Sequence, residues 1–303
     1  MTQKLDINII HTISIIILCF VGSIHIQAKT SELTKIQSDS TLISYLKEFG
    51  IETTSHNELE LLKSGKEKFI DLFQKIETAK HHIHLEYFNF RNDSIANTLF
   101  ELLGKKAQEG VEVRAIFDAF GNASNNQPLK KKHLKAIREK GIEIVQFDPI
   151  RFPWINHVFH RDHRKIVVID GAIGYTGGMN IADYYINGLP EIGEWRDMHV
   201  RIEGEAVAHL QDIFLDMWNK CTKQQISGDA YYPYRTSLIP APSQKNEVAI
   251  VDRYPKKDPK TMRRVYAKAI ESAEQNIQII NPYFTPTRII KKAIKKAARK
   301  GVN

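Results

Sequence analysis

From about residue 66 the apolar positions follow two alternating periods. Phe69, Ile70, Leu72, Phe73 and Ile76 recur at helical spacing, and Ile83 to Phe90 reads as a strand. Leu99, Leu102, Leu103 and Ala107 mark a second helix that stops at Gly110, ahead of the apolar strand from Val111 to Phe117. Lys130 to Lys140 reads as a further helix closed by Gly141, and Ile142 to Phe147 as another strand. Strand, helix and strand in this order make a βαβ unit. The pattern therefore predicts an α/β fold, a β-sheet flanked by helices.

The C-terminal segment repeats this unit. Ile76-Glu77-Thr78-Ala79 matches Ile270-Glu271-Ser272-Ala273, and Ile83-His84-Leu85 matches Ile277-Gln278-Ile279, both at an offset of 194. After a loop three residues shorter, Ala107-Gln108-Glu109-Gly110-Val111 matches Ala298-Arg299-Lys300-Gly301-Val302 at an offset of 191. The expected organisation is one complete repeat and the start of a second. Residues 63–225 form the first domain, 226–260 a linker rich in Pro, Tyr, Ser and Lys, and 261–303 the opening of the second domain. Residues 29–62 read as a lead-in.

The N-terminus has a different character. Lys4 precedes a mainly apolar run from Ile9 to Ile26, with Ala28 just beyond, so residues 1–28 read as a signal peptide or membrane anchor. The run is short for a spanning helix, and His11, Ser14 and His25 interrupt it, which leaves both readings open. Lys+Arg 43 against Asp+Glu 35 gives a net charge of +8, which suits phosphate-bearing partners without choosing among them. Cys19 and Cys221 are too few and too far apart to indicate a disulfide framework or a cysteine metal site.

The chemistry concentrates in His163-Arg164-Lys165-Ile166-Val167-Val168-Ile169-Asp170-Gly171, followed by Gly177-Gly178-Met179-Asn180. The β-branched run places this segment on a strand, where positions two apart share a face, so His163 and Lys165 point the same way and Asp170 ends the strand. An imidazole beside a fixed ammonium suits phosphoryl chemistry: the ring can attack phosphorus while the cation stabilises charge on the equatorial oxygens. Asn180 can donate to a phosphate oxygen, and Gly177 and Gly178 permit close backbone approach. His157, His160 and His163 recur every three residues, but that period does not converge on one face of a strand and no HExxH or cysteine partner accompanies it, so zinc is not expected.

The spacing His-x-Lys-x4-Asp with Gly-Gly-x-Asn resembles the HKD motif of the phospholipase D superfamily. The resemblance extends to Glu194-Trp195-Arg196-Asp197 and the following Met198 to Gly204, which are similar to the Trp-Arg-Asp segment of cardiolipin synthases. It also takes in Glu86 with Tyr87, Phe117-Asp118-Ala119 with Gly121, and Asn281-Pro282-Tyr283-Phe284 at the opening of the second half. In all it covers roughly residues 58 to 303.

The resemblance implies a pseudo-twofold α/β protein with one HKD motif per half, a phosphohistidine intermediate, and no metal or other cofactor. It maps His163 to one of two active-site histidines, Lys165 and Asn180 to the phosphate clamp, and Asp170 to the motif's structural carboxylate within the catalytic triplet. It maps Asp197 to an acid that orients the second half's histidine, and gives Glu86 a weaker shaping role. The implied activity is phosphatidyl transfer, cardiolipin from two phosphatidylglycerols, with a hydrolase, a nuclease or an inactive remnant as alternatives. Nucleic acid is the less expected partner, given the apolar N-terminal segment and the Trp195 region. By the internal offset a second motif histidine falls about 191 residues beyond His163, past Asn303, so the chain is expected to hold one half-site. A homodimer pairing two copies of His163 is the alternative. Arg288, Lys291, Lys292, Lys295, Lys296, Arg299 and Lys300 suggest a basic face toward an anionic membrane, and the expected location is a bacterial cell membrane or export across it.

Overall fold

The computed structural model describes residues 24–25, 41–149, 160–254, 260–281 and 283–303. Its centre is a seven-stranded mixed sheet. The strands are β1 (Asn57–Leu62), β2 (His82–Tyr87), β3 (Glu112–Asp118), β4 (Glu143–Phe147), β5 (Lys165–Ile169), β6 (Ile173–Gly177) and β7 (His199–Gly204), in the spatial order β1-β7-β6-β5-β2-β3-β4. Strands β2, β3 and β4 run parallel. Their connections are the helices α2 (Ser94–Gln108) and α3 (Lys131–Glu139), as the apolar periods predict. Strands β5, β6 and β7 form an antiparallel meander, joined to β2 on one side and to β1 on the other.

Helix α1 (Gly65–Glu77) and α2 cover one face of the sheet. Phe69, Leu72, Ile76, Leu99 and Leu103 pack there on Ile83, Leu85, Val113, Val167 and Ile169 in the largest apolar cluster. Each such fully buried side chain is worth about 1.5–3 kcal/mol. Ile70, counted in the helical stripe from spacing alone, is 51% exposed. Helix α4 (Val207–Thr222) covers the other face, its Val207 and Leu210 on Ile166, Val168, Val200 and Ile202, its Phe214 and Trp218 near Ile116 and Phe147. With helices on both faces, β2 is buried at every position, including His82, His84 and Glu86, which face α4.

Two stretches differ from the sequence reading. Residues 57–62 belong to the sheet, paired along their whole length with β7, rather than to a lead-in. Their pattern, Asn-Glu-Leu-Glu-Leu-Leu, is too short and too charged to announce a strand before β7 is in place beside it. The 226–260 stretch is not a detached linker either. Tyr231 packs into the cluster under α4, Val248–Ala249 pairs antiparallel with Thr53–Thr54, and Asp252 reaches Arg164. The strand read to Phe90 ends at Tyr87.

The repeat is present in backbone detail. Helix α5 (Thr261–Ser272), the short strand Gln278–Ile279 and α6 (Arg288–Arg299) follow the order of α1, β2 and α2. Gly110 and Gly301 take the same left-handed conformation at φ 92° and 85°. Each is followed by the same helix-closing bond, Val111 N–H to Lys106 O at 3.0 Å and Val302 N–H to Ala297 O at 3.2 Å. Helices α5 and α6 share the cluster of Ala267, Ile270, Ile290, Ala293 and Ala297, and the opposite side of α5 meets Leu42 and Leu46 of a helix at 41–47. Among the described residues no helix is long and apolar enough to cross a membrane. The apolar N-terminal run lies outside the described residues except Ile24–His25, which pairs with Gln278–Ile279.

Candidate active site

The register of four strands brings the motif residues to one end of the sheet. Tyr87 on β2 lies opposite Lys165 on β5, and Ile166 lies opposite Thr176 on β6, so Lys165 and Gly177 are neighbours one step further along. Gly177 in turn faces His199 on β7. A Cβ on Gly177 would stand 2.5 Å from His199 Nδ1, and one on Gly178 would stand 1.9 Å from Asp197 Oδ1. Gly177 also has φ 156°, a value that side-chain-bearing residues rarely adopt. Both glycines are therefore needed for the imidazole and the carboxylate to approach the backbone.

His163 precedes β5, exposed at the end of the sheet, with its ring against Phe88 at 4.4 Å between centroids. Lys165 Nζ, itself fully buried, lies 3.1 Å from His163 Nδ1 and donates to the His163 carbonyl at 2.8 Å. Desolvation by the surrounding side chains, and then the Lys165 ammonium, push the His163 pKa down to about 3. Part of the residue stays open to water, so the direction carries the argument: the ring is neutral at physiological pH. Burial holds Lys165 well below the usual lysine range, against the opposing pull of Asp162 and Asp197. Asp197 is raised by desolvation, while the Met198 N–H at 2.7 Å and the charges of Lys68 and Lys165 act in the opposite direction. Asn180 is buried, and its Oδ1 has no hydrogen-bonding partner within the protein.

Asp170 does not join this group. It sits at the far end of β5, about 16 Å along the strand from Lys165. There its carboxylate accepts the backbone N–H groups of Lys80 (2.8 Å), His81 (2.8 Å) and His82 (3.0 Å). Its carboxylate ties the start of β2 to the end of β5, in keeping with the structural role that the motif resemblance implies. Glu86 also stands apart from the His163 face. It points to the α4 side, fully buried, accepting from Arg164 Nη1 at 3.0 Å. Arg164 in turn clamps Asp252 with two bonds of 2.7 Å. Burial, then the neighbouring Asp162, raises the Glu86 pKa well above the usual carboxylate value.

Two residues absent from the sequence reading complete the site. Lys68, from α1, is fully buried with Nζ donating to the carbonyls of Met179 (3.1 Å) and Asn180 (3.0 Å). His199 is fully buried, neither ring nitrogen has a partner within the protein, and burial with Lys68 and Lys165 keeps it neutral. A signal for Lys68 exists in retrospect: it occupies the stripe of Phe69, Leu72 and Ile76, an apolar position on α1. His199 offers none, since it alternates with Val200 and Ile202 and reads as a solvent-facing position. Among the described residues no three His, Cys, Asp or Glu side chains converge as metal ligands, and His157 lies outside them.

A neutral imidazole at the surface with a buried ammonium beneath it makes an anion site with a nucleophile or base at its rim, which Asn180 would join through its Nδ2, since the unpaired Oδ1 is an acceptor. The family described as "Cardiolipin synthase, PLD-like domain" matches residues 72–218. A cardiolipin synthase of Alkalihalophilus pseudofirmus is 36% identical over 248 residues, covering 82% of this chain and 48% of that protein. One from Staphylococcus aureus is 40% identical over 253 residues, covering 82% and 49%. The chain thus spans about half the length of the curated relatives it matches. The crystal structure of a phosphatidylserine synthase from Haemophilus influenzae aligns with a TM-score of 0.59 at 16% identity, over 88% of this chain and 64% of that one, which is a likeness of fold.

Proposed function

The chain belongs to the phospholipase D superfamily, on its cardiolipin synthase side, and we propose that it supplies one HKD half-site for phosphatidyl transfer between two phosphatidylglycerol molecules. The observation that carries this reading is the contact of the exposed His163 ring with the fully buried Lys165 ammonium at 3.1 Å. An imidazole fixed there is neutral, so it can accept a proton or attack phosphorus without first losing one. The ammonium remains within reach of the oxygens that gain charge.

In this mechanism one histidine of the pair attacks the phosphodiester and forms a phosphohistidine as the P–O bond to the leaving alcohol breaks. The other histidine, from a second HKD half-site, protonates that alcohol. The second histidine then takes the proton of the incoming phosphatidylglycerol hydroxyl as it displaces the first histidine, and cardiolipin and glycerol are the products. Lys165 and Asn180 hold the phosphoryl oxygens, and Asp197 orients the second imidazole. The second half-site is that of a longer polypeptide or of another copy of this chain. The working location is an anionic membrane surface, toward which α6 presents Arg288, Lys291, Lys292, Lys295 and Arg299, with residues 1–28 as signal or anchor.

The test is incubation with phosphatidylglycerol vesicles, with cardiolipin, phosphatidic acid and cut plasmid measured side by side. Cardiolipin and glycerol in equal amounts support transfer, with a loss of about 100-fold or more in His163→Ala. Phosphatidic acid alone would replace transfer by hydrolysis, DNA cutting would make the site a nuclease, and no product in any arm would rule out a second copy of this chain as the source of the other half-site.

A further inference from the structure

Lys68 lies outside the HKD motif, yet the fold buries it completely against the carbonyls of Met179 and Asn180. Helix α1 begins at Ser64, whose Oγ accepts the Glu67 N–H at 3.2 Å. Its first residue, Gly65, is pressed on the 179–187 segment so closely that a Cβ would stand 2.3 Å from the Tyr185 carbonyl oxygen. That contact fixes the helix end against the loop that carries Asn180. One turn later Lys68 falls on the inner side, with no exposed surface, and its Nζ donates to the carbonyls of Met179 and Asn180. The faces of Phe69 (4.7 Å) and Tyr87 (5.1 Å) flank the ammonium.

Apolar packing alone does not account for this arrangement. A leucine or methionine would fill the stripe position without desolvating an ammonium, and burying one unpaired is among the most unfavourable substitutions in a core. Desolvation pulls the Lys68 pKa well below the usual lysine range, and the field of Asp197 opposes it, while two loop carbonyls accept from the Nζ. Lys68 also acts on Lys165 and His199.

We propose that Lys68 is a positioning residue of the phosphate site: it fixes the Met179-Asn180 backbone so that the Asn180 amide faces the anion, and it supplies a second cation to the site. The inference rests on the phosphate-site reading above and adds a residue from outside the motif to it.

The experiment is titration of the 303-residue protein with inorganic phosphate, followed calorimetrically and by phosphorus NMR, with thermal unfolding of each variant in parallel. Wild type is expected to bind, and Lys165→Met is the control that loses the clamp. Lys68→Met should raise the phosphate dissociation constant about tenfold or more, and Lys68→Arg, which keeps charge and donors, should return it to within about threefold of wild type. Equal binding by Lys68→Met and wild type would reduce Lys68 to a packing residue. A Lys68→Arg variant as weak as Lys68→Met would remove charge and donation as the cause. Should Lys68→Met fail to fold, Lys68→Gln takes its place, with the same tenfold weakening expected and wild-type affinity overturning the proposal. Failure of the wild type itself to bind phosphate would defeat the site reading, a different result from a wild type that binds and a Lys68 variant that binds equally.

Discussion

Asp170 offers the sharpest separation of a structural from a chemical role. Its carboxylate accepts three successive backbone N–H groups, two on Oδ1 (His81 and His82) and one on Oδ2 (Lys80), and its own backbone is left-handed at φ 52°. In Asp170→Ala all three bonds go. Because two of the amides are solvent-accessible, the loss is nearer one charge-assisted bond than three, about 2–3 kcal/mol. The left-handed backbone adds about 1 kcal/mol for a residue with a Cβ and no local hydrogen bond. Asp170→Gly should recover that last part and no more. Asp170→Asn keeps an acceptor for the two Oδ1 bonds, tolerates φ 52°, and should lose only about 1 kcal/mol. The order of stability is therefore wild type, Asn, Gly, Ala, with the Ala variant melting roughly 6–10 °C low. Urea unfolding followed by circular dichroism, with an unchanged slope, measures it. Four equal midpoints, with phosphate binding lost in Asp170→Asn, would refute the reasoning and return Asp170 to the chemistry.

Two further outcomes follow from the α4 side of the sheet. Arg164→Ala should destabilise by about 3–5 kcal/mol, because it leaves buried Asp162 and the partly exposed Asp252 without their cation and Glu86 without its donor, whereas Glu86→Gln should cost less, because Asp162 and Asp252 still pair with Arg164; chemical denaturation of both variants checks this. His82, buried and held by Gln211 Oε1 at 3.1 Å, has its pKa lowered to about 4, chiefly by desolvation and then by His81. The unfolded chain binds the extra proton between that value and the ordinary 6.5, so this stability is complete above pH 6.5 and is lost as pH falls toward 4, on the order of 1–3 kcal/mol. His84 and His199 are shifted in the same direction, and a His82→Gln variant should flatten the lower limb of the stability–pH curve.

The sequence by itself determined the elements whose signal is local. Helices α1, α2 and α3 and the parallel strands between them follow from apolar period and glycine stops, because a turn or pleat is closed by neighbours in the chain. The repeat was legible for the same reason, down to the paired stops at Gly110 and Gly301. The motif spacing placed His163 close to Lys165, although His163 itself lies just ahead of β5, which begins at Lys165. Tertiary structure alone decided what the remaining charged residues do. Asp170 belongs to the same motif, yet its partners come from residues 80–82, which only strand pairing brings near. Glu86 is adjacent in sequence to Tyr87, but the pleat sends one to α4 and the other toward Lys68. Lys68, Arg164 and His199 are buried ions or imidazoles, and a one-dimensional pattern treats such residues as solvent-facing. For Lys68 and Arg164 the cost of desolvation is offset by carbonyls and carboxylates, most of them dozens of residues away in the chain. Sequence period records which face of an element turns inward, whereas the match between a buried charge and its partners exists only once the elements are packed.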